Sequence, residues 1–168
     1  MIDADLFKNV NDTYGHKVGD RVLMALASVA EKALREEDLV ARYGGEEFVV
    51  YLSQSDEKAA KVVAERLRES IAQAVVFTEN NEEVKFTVSI GIALSKDSRD
   101  LDRLIRMSDD ALYKAKEKGR NCCEIYQENM EFNENIMKPE SVHPALSEEN
   151  NVEISLLNNQ GQPGNDNL

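Results

Sequence analysis

The chain has 168 residues, of which 42% are hydrophobic and 31% charged, and its formal net charge at pH 7 is -12. A chain of this length buries a core in one domain and leaves residues for a tail. Its acidity argues against a purely electrostatic grip on nucleic acid, which needs a basic surface. No apolar run is long enough to cross a membrane, and the only cysteines, Cys122 and Cys123, are adjacent and lack metal-ligand spacing. We therefore expect a soluble cytoplasmic protein with reduced thiols that does not bind nucleic acid.

Apolar spacing predicts eight elements, taken here in chain order. A strand over MIDADLF is followed by a helix from Gly19 onward with Asp20 as its N-cap. The strands DLVARY and EFVVYL flank Gly44-Gly45, the two-residue loop of a hairpin. A helix over 57–74 leads to the strand KFTVSIGIAL, and a third helix, closed by Gly119 at its C′ position, leads to the strand CCEIY. This order predicts an α+β fold with a split βαβ arrangement, in which helices pack against a central mixed sheet.

The composition changes after residue 126. All three prolines lie beyond that point, and residues 127–168 carry eight acidic side chains against one lysine, which is seven of the twelve net negative charges. Low hydrophobicity with high charge does not offset the entropy of ordering a chain. We predict a folded domain over residues 1–126 and an acidic, disordered tail over 127–168.

Acidic residues recur at two places in the predicted sheet. Asp3 and Asp5 alternate on the first strand and so share one face. If that strand lies beside the hairpin, Asp3 approaches the turn that carries Glu46 and Glu47. Converging carboxylates repel each other unless a cation lies between them, and magnesium prefers such hard oxygen ligands. The alternative is a solvated polar edge, because Asp and Glu are common near turns.

Two cations and a polar loop suggest a phosphate or nucleotide ligand. Lys116 and Arg120 are four residues apart, on one face at the C-terminal end of the third helix, where they would neutralise either phosphate or the helix dipole. In the loop over residues 7–20, Asn11 and Asp20 are either turn and capping residues or readers of a base edge. A carboxylate accepts from guanine N1–H and its 2-amino group together, so an Asp here would select guanine.

The backbone after Asp5 offers a second way to hold phosphate. The amides around Leu6, Phe7 and Lys8 would form an anion nest.

Four segments in order, DADLFKNVNDTYGHKVGD, RYGGEEF, VSIGIAL and SDDALYKAKEKGRN, resemble the GGDEF family of diguanylate cyclases, with GGEEF as the central signature. The resemblance covers residues 1–126 and implies a nucleotidyl-cyclase-like fold. Domains of the family begin with a further helix, so we interpret residues 1–126 as the domain without that helix. A sensor domain would precede it in a full-length protein.

The resemblance implies that two GTP molecules are condensed into cyclic di-GMP and two pyrophosphates by a homodimer in which each domain holds one GTP. The alternative is a catalytically impaired module that binds GTP or cyclic di-GMP and regulates a partner.

The resemblance also implies roles for particular residues. Asp3, Glu46, Glu47 and the Ala4 carbonyl would hold magnesium, with manganese as the alternative, and Glu46 would be the general base, with Glu47 as a second catalytic candidate. The segment REED matches an inhibitory product site, for which an ordinary salt bridge is the alternative. That product site would consist of Arg35, Asp38 and Arg66. The substrate would contact Leu6, Phe7, Lys8, Asn11, His16, Asp20, Arg42, Gly44, Gly45, Lys116 and Arg120.

Overall fold

A computed structural model describes residues 1–128 of the chain, and the predicted tail therefore lies outside the described residues except for its first two positions. The helices are α1 (Phe7–Tyr14), α2 (His16–Ala33), α3 (Glu57–Gln73) and α4 (Leu101–Glu117). The strands are β1 (Ile2–Ala4), β2 (Leu39–Gly44), β3 (Glu47–Tyr51), β4 (Val75–Phe77), β5 (Glu83–Lys85), β6 (Val88–Ile92) and β7 (Cys123–Ile125). None of the helices within residues 1–128 combines the length and apolarity needed to cross a bilayer.

Five strands form one mixed sheet in the order β2-β3-β1-β6-β7. The central strand β1 is antiparallel to both β3 and β6, whereas β6 and β7 are parallel. This confirms the predicted split βαβ arrangement and places the β2–β3 hairpin directly beside β1.

Helices cover the two faces of the sheet. Ile2, Val88 and Ile90 share one buried cluster with Leu26 of α2 and Ile71 of α3. Gly91 follows Ile90 on β6 and faces the other side of the sheet, because successive residues of a strand alternate between its two faces.

Helix α4 lies directly against Gly91. A Cβ at Gly91 would come within 2.0 Å of the Ser108 carbonyl oxygen and 2.2 Å of the Leu112 nitrogen. The approach of α4 to the sheet therefore requires a glycine at this position.

The prediction of a loop over residues 7–20 is wrong. The segment is helical apart from a break at Gly15, whose φ is 84°. Phe7, Val10 and Tyr14 recur at helical spacing and pack against the core, while polar residues occupy the outer side of α1. Because α2 already begins at His16, Asp20 lies inside a helix and is not its N-cap.

The predicted hairpin exists, but its turn is shifted by one residue. Gly44 pairs with Glu47, so the two-residue loop is Gly45-Glu46 instead of Gly44-Gly45. The register also shifts between Arg42 and Gly44, which makes Tyr43 the extra residue of a bulge. The shift moves Glu46 into the turn and leaves Glu47 in the strand.

Two further details concern the second half of the fold. The small β4–β5 hairpin was not predicted, and the strand expected over KFTVSIGIAL is divided into β5 and β6. The predicted end of the third helix is confirmed. Gly119 (φ 110°) donates to the Lys116 carbonyl and Arg120 donates to the Ala115 carbonyl, which is the bonding pattern of a Schellman motif.

Candidate active site

The carboxylate-bearing hairpin is held against the central strand by backbone pairing. Asp3 and Glu47 are register partners across β1 and β3. The Ala4 N–H donates to the Glu46 carbonyl over 3.3 Å. The expected approach of Asp3 to the two glutamates is therefore present.

The turn itself is braced from within the hairpin. Nε and Nη2 of Arg42 donate to the Gly45 carbonyl over 2.9 and 2.6 Å. Gly45 has a φ of 42°, which favours glycine. Gly44 does not need this freedom, and a Cβ there would meet no protein atom within 4 Å.

Asp3 is buried and forms an ion pair with α4. Its Oδ2 lies 2.9 Å from Lys116 Nζ, and the lysine side chain is 33% exposed. Burial raises the pKa of Asp3 to about 6, an effect that Lys116 reduces and the charges of Glu46 and Glu47 increase. An ionised Asp3 thus carries a cost in the folded protein and favours a cation close by.

The donors around Asp3 suit a hard divalent ion. Carboxylate oxygens of Asp3 and Glu46 and the Ala4 carbonyl are the ligand type that magnesium prefers. Over residues 1–128, no group of three or more His, Cys, Asp or Glu side chains converges as a ready metal site. The fit therefore rests on these two carboxylates and a backbone oxygen, and the metal ligands stay a prediction.

The predicted anion nest coincides with the start of α1. Leu6 adopts a left-handed conformation with φ 55°, and its carbonyl accepts from the N–H groups of Asn9 and Val10. The preceding N–H groups, on Phe7 and Lys8, belong to the first helical turn, where the helix itself provides no acceptor. Such a terminus attracts anions.

The predicted guanine readers lie on the two helices that follow. Gly19 of α2 is so close to Asn11 of α1 that a Cβ there would be 2.0 Å from Asn11 Oδ1. Asn11 is half-buried, while His16 and Asp20 are exposed. Close packing at Gly19 therefore brings Asn11 next to the residue that precedes Asp20.

One geometric expectation for the cations is wrong. α4 ends at Glu117, and Arg120 lies in the turn beyond it with a φ of 66°, so Lys116 and Arg120 do not share a helical face. Arg120 is exposed, and Lys116 contacts Asp3.

A residue without a predicted role, Asp5, is hydrogen-bonded to three residues on two distant segments. The strand β1 ends before it, and its buried carboxylate accepts from Thr87 Oγ1 and Ser89 Oγ, each over 2.6 Å, and from the Asn121 N–H over 3.0 Å. The alternating hydroxyls of FTVSI, in an otherwise apolar strand, were the signal that a buried polar partner existed.

Among residues 1–128, the REED segment forms no salt bridge, which was its alternative interpretation. The Asp38 carboxylate accepts instead from the backbone N–H groups of Arg35 and Ser53, over 3.1 and 3.0 Å. The Arg35 side chain is exposed. Arg66 of α3 donates to the Ala33 carbonyl at the end of α2, so it lies at the same corner of the domain.

A mainly apolar cavity lies elsewhere, at the opposite end of β1. It has a volume of about 470 Å³ and is lined by Met1 and the ends of β3 and β6. It contains none of the predicted site residues.

A mixed sheet of this order, with a carboxylate-bearing hairpin beside the central strand, defines a nucleotidyl-cyclase-like α+β domain. The comparison with known families is specific. The family described as "Diguanylate cyclase, GGDEF domain" matches residues 1–122, and the chain belongs to this family.

Curated relatives and solved structures agree with the assignment. Diguanylate cyclase A of Treponema denticola is 40% identical over 131 residues, which is 77% of this chain and 35% of the relative. Diguanylate cyclase DgcM of Escherichia coli K12 is 46% identical over 72% of this chain and 28% of its own length. The chain thus spans about a third of the curated relatives that it matches.

Among solved structures, the GGDEF domain of DgcB from Caulobacter crescentus, in complex with c-di-GMP, is 32% identical with a TM-score of 0.70, covering 74% of each chain. The active GGEEF domain of a diguanylate cyclase from Vibrio cholerae is 38% identical with a TM-score of 0.68, covering 75% of this chain and 80% of that one.

Proposed function

We propose that this chain is the catalytic domain of a diguanylate cyclase, which condenses two GTP molecules into cyclic di-GMP and two pyrophosphates. The observation that carries the proposal is the pairing of Asp3 with the Glu46-Glu47 hairpin in a chain of the GGDEF family. Each of two facing domains holds one GTP. The 3′-oxygen of each nucleotide bonds to the α-phosphorus of the other, and the bond to the pyrophosphate oxygen breaks.

Glu46 is the residue that we assign as general base. It is half-buried in the turn, and the Ala4 N–H and the Arg42 guanidinium fix the backbone on either side of it. The 3′-hydroxyl proton passes to its carboxylate as the new bond forms, and pyrophosphate leaves with the electron pair of the broken bond. Positioning of this kind requires a rigid turn.

Asp3 and Glu46, with the Ala4 carbonyl, would hold magnesium, and manganese has the same ligand preference. Glu47 would share this duty from the adjacent strand position. When bound, the ion neutralises charge that develops on the phosphates. Lys116 Nζ lies 2.9 Å from the Asp3 carboxylate, so its ammonium would neutralise phosphate oxygens beside these ligands.

The rest of the nucleotide would lie over the start of α1. The backbone N–H groups of Leu6, Phe7 and Lys8 would donate hydrogen bonds to phosphate oxygens, because a helix N-terminus favours anions. Arg120, which lies in an exposed turn, would neutralise the remaining negative charge of the phosphates. The open space at Gly44 and Gly45 leaves room for the nucleotide beside the hairpin, where Arg42 supports the turn.

Base recognition is assigned to the α1–α2 pair. Asp20 would accept from N1–H and the 2-amino group of guanine, a donor pair that adenine lacks. Asn11 would contact the same base edge, and His16, at the first position of α2, would border it.

We also propose that product restrains turnover at a second site. Arg35 would bind a phosphate of cyclic di-GMP because its guanidinium is exposed, and Arg66 lies at the same corner. Asp38 would shape the site through its bonds to the Arg35 and Ser53 amides.

The proposal is tested by incubating the full chain with GTP and magnesium and separating the products by chromatography. We expect cyclic di-GMP from the wild-type chain and a loss of about 10²-fold or more in Glu46→Gln. The matched control is Glu82→Gln, an exposed glutamate near the turn of the β4–β5 hairpin, which should remain active. A wild-type chain that makes no product but binds cyclic di-GMP through Arg35 would instead be a regulatory module.

A further inference from the structure

Asp5 stands where the two proposed phosphate-binding segments meet. Its chain neighbour Leu6 opens α1, whose first amides form the proposed anion nest. Its side chain accepts from Asn121, which directly follows Arg120. The contact joins residues that are 116 positions apart in sequence.

The turn that carries Arg120 needs such an anchor. Gly119, Arg120 and Asn121 have consecutive positive φ values of 110°, 66° and 47°. For residues other than glycine this conformation costs about 1 kcal/mol or more and persists only where surrounding contacts impose it. The Asp5 carboxylate supplies one such contact through the Asn121 N–H, and Arg68 supplies another through the Asn121 side chain over 2.9 Å.

The carboxylate is itself held rigidly. Asp5 is only 7% exposed. Ser89 donates to its Oδ1 and Thr87 to its Oδ2, and its own N–H donates to the Thr87 carbonyl over 2.9 Å. Both side-chain oxygens therefore have fixed directions, and the Asn121 amide meets a pre-oriented acceptor.

We propose that Asp5 is a positioning residue for the triphosphate: it sets the separation between the Leu6–Lys8 amides and Arg120. This inference rests on the proposed function, because it assigns phosphate to both segments. The hydrogen bond from the Asn121 N–H to the Asp5 carboxylate is called the clamp below. Guanine recognition does not depend on the clamp, since Asn11 is placed by the contact between α1 and Gly19 of α2.

The hydrogen-bonding pattern separates a positioning role from a role for the charge. Serine and threonine hydroxyls can donate or accept, whereas the Asn121 N–H can only donate. An asparagine at position 5 can place its oxygen toward the Asn121 N–H and donate its NH₂ to Ser89. Asp5→Asn therefore keeps the clamp without the charge, and Asp5→Ala removes both.

The experiment measures dissociation constants of the full chain, in magnesium buffer, for a GTP analogue with a methylene α–β bridge and for guanosine. In Asp5→Ala we expect binding of the analogue to weaken about tenfold or more, as for one lost hydrogen bond to a charged group, and binding of guanosine to remain unchanged. Asp5→Asn should bind both as the wild type does. Asp100→Ala is the control, since it removes a carboxylate that caps the other end of α4.

Each outcome decides the matter. The inference is overturned if Asp5→Ala binds the analogue normally, if guanosine weakens equally, or if Asp5→Asn is as defective as Asp5→Ala. If Asp5→Ala does not fold, Asp5→Ser replaces it, because a serine hydroxyl is too short to reach the Asn121 N–H. A wild-type chain that binds neither probe overturns the proposed function, and the positioning role with it.

Discussion

Replacing Asp3 by asparagine should stabilise the protein at neutral pH while abolishing synthesis of cyclic di-GMP. An aspartate in the unfolded chain has its ordinary pKa of 3.8, whereas burial raises the pKa of Asp3 to about 6 in the folded protein. The folded state thus holds this proton more tightly than the unfolded state. Ionising Asp3 therefore lowers the free energy of unfolding as the pH rises from 3.8 to about 6, and the loss is complete above that range.

The size of the effect follows from the same difference. Each tenfold change in proton affinity corresponds to about 1.4 kcal/mol, so the ionised carboxylate costs up to about 3 kcal/mol at pH 7.5. Lys116 loses its partner in Asp3→Asn, but its side chain is 33% exposed and is solvated at small cost. Because the cost develops across the range between the two pKa values, the advantage of the variant should be roughly halved at pH 5.

The assay is urea unfolding of the wild type and Asp3→Asn at pH 7.5 and pH 5, with equal m-values as the check that the compared states are the same. Asp12→Asn is the matched control, because Asp12 is an exposed aspartate on α1 and its replacement should change neither value. The reasoning is refuted if Asp3→Asn is no more stable than the wild type at pH 7.5. It is equally refuted if the advantage does not shrink at pH 5.

Four further substitutions test the product site, the packing of α4 and the base site. Arg35→Ala should relieve product inhibition and leave the free energy of unfolding unchanged. Asp38→Ala should relieve inhibition and also lower the free energy of unfolding by about 1–3 kcal/mol, because two backbone amides lose their acceptor. Initial rates with added cyclic di-GMP measure inhibition and urea titrations measure stability, and equal stabilities of the two variants would contradict the prediction. Gly91→Ala should destabilise by about 3 kcal/mol or more, since its Cβ meets the α4 backbone, and a thermal midpoint like that of the wild type would argue against this packing. Gly19→Ala should displace the Asn11 side chain and reduce the preference for GTP over ATP in a competition assay; an unchanged preference would remove Asn11 from the base site.

The sequence predicts those features whose causes are local. Apolar spacing locates α3 and α4, and Gly119 marks the end of α4 because its position requires a positive φ. The juxtaposition of Asp3 with the hairpin was also predictable, because a hairpin in a split βαβ arrangement lies beside the first strand.

Other features were not predictable in this way, because opposing local signals or contacts between distant residues determine them. Residues 7–20 look like a loop because their polar density hides the Phe7, Val10 and Tyr14 stripe. The hairpin turn shifts because the bulge at Tyr43 changes which glycine occupies it. The partners of Asp5 lie 82 to 116 residues away, so the hydroxyls of FTVSI could signal a buried polar partner but could not identify it as Asp5.

The most direct test of the central claim counts products in a single reaction. The wild-type chain of 168 residues is incubated with GTP and magnesium, and cyclic di-GMP and pyrophosphate are quantified in the same sample. We expect two pyrophosphates for each cyclic di-GMP, with a rate that rises more steeply than linearly with protein concentration, because two domains must meet. Consumption of GTP with release of orthophosphate, or binding of GTP with no cyclic product, would contradict it.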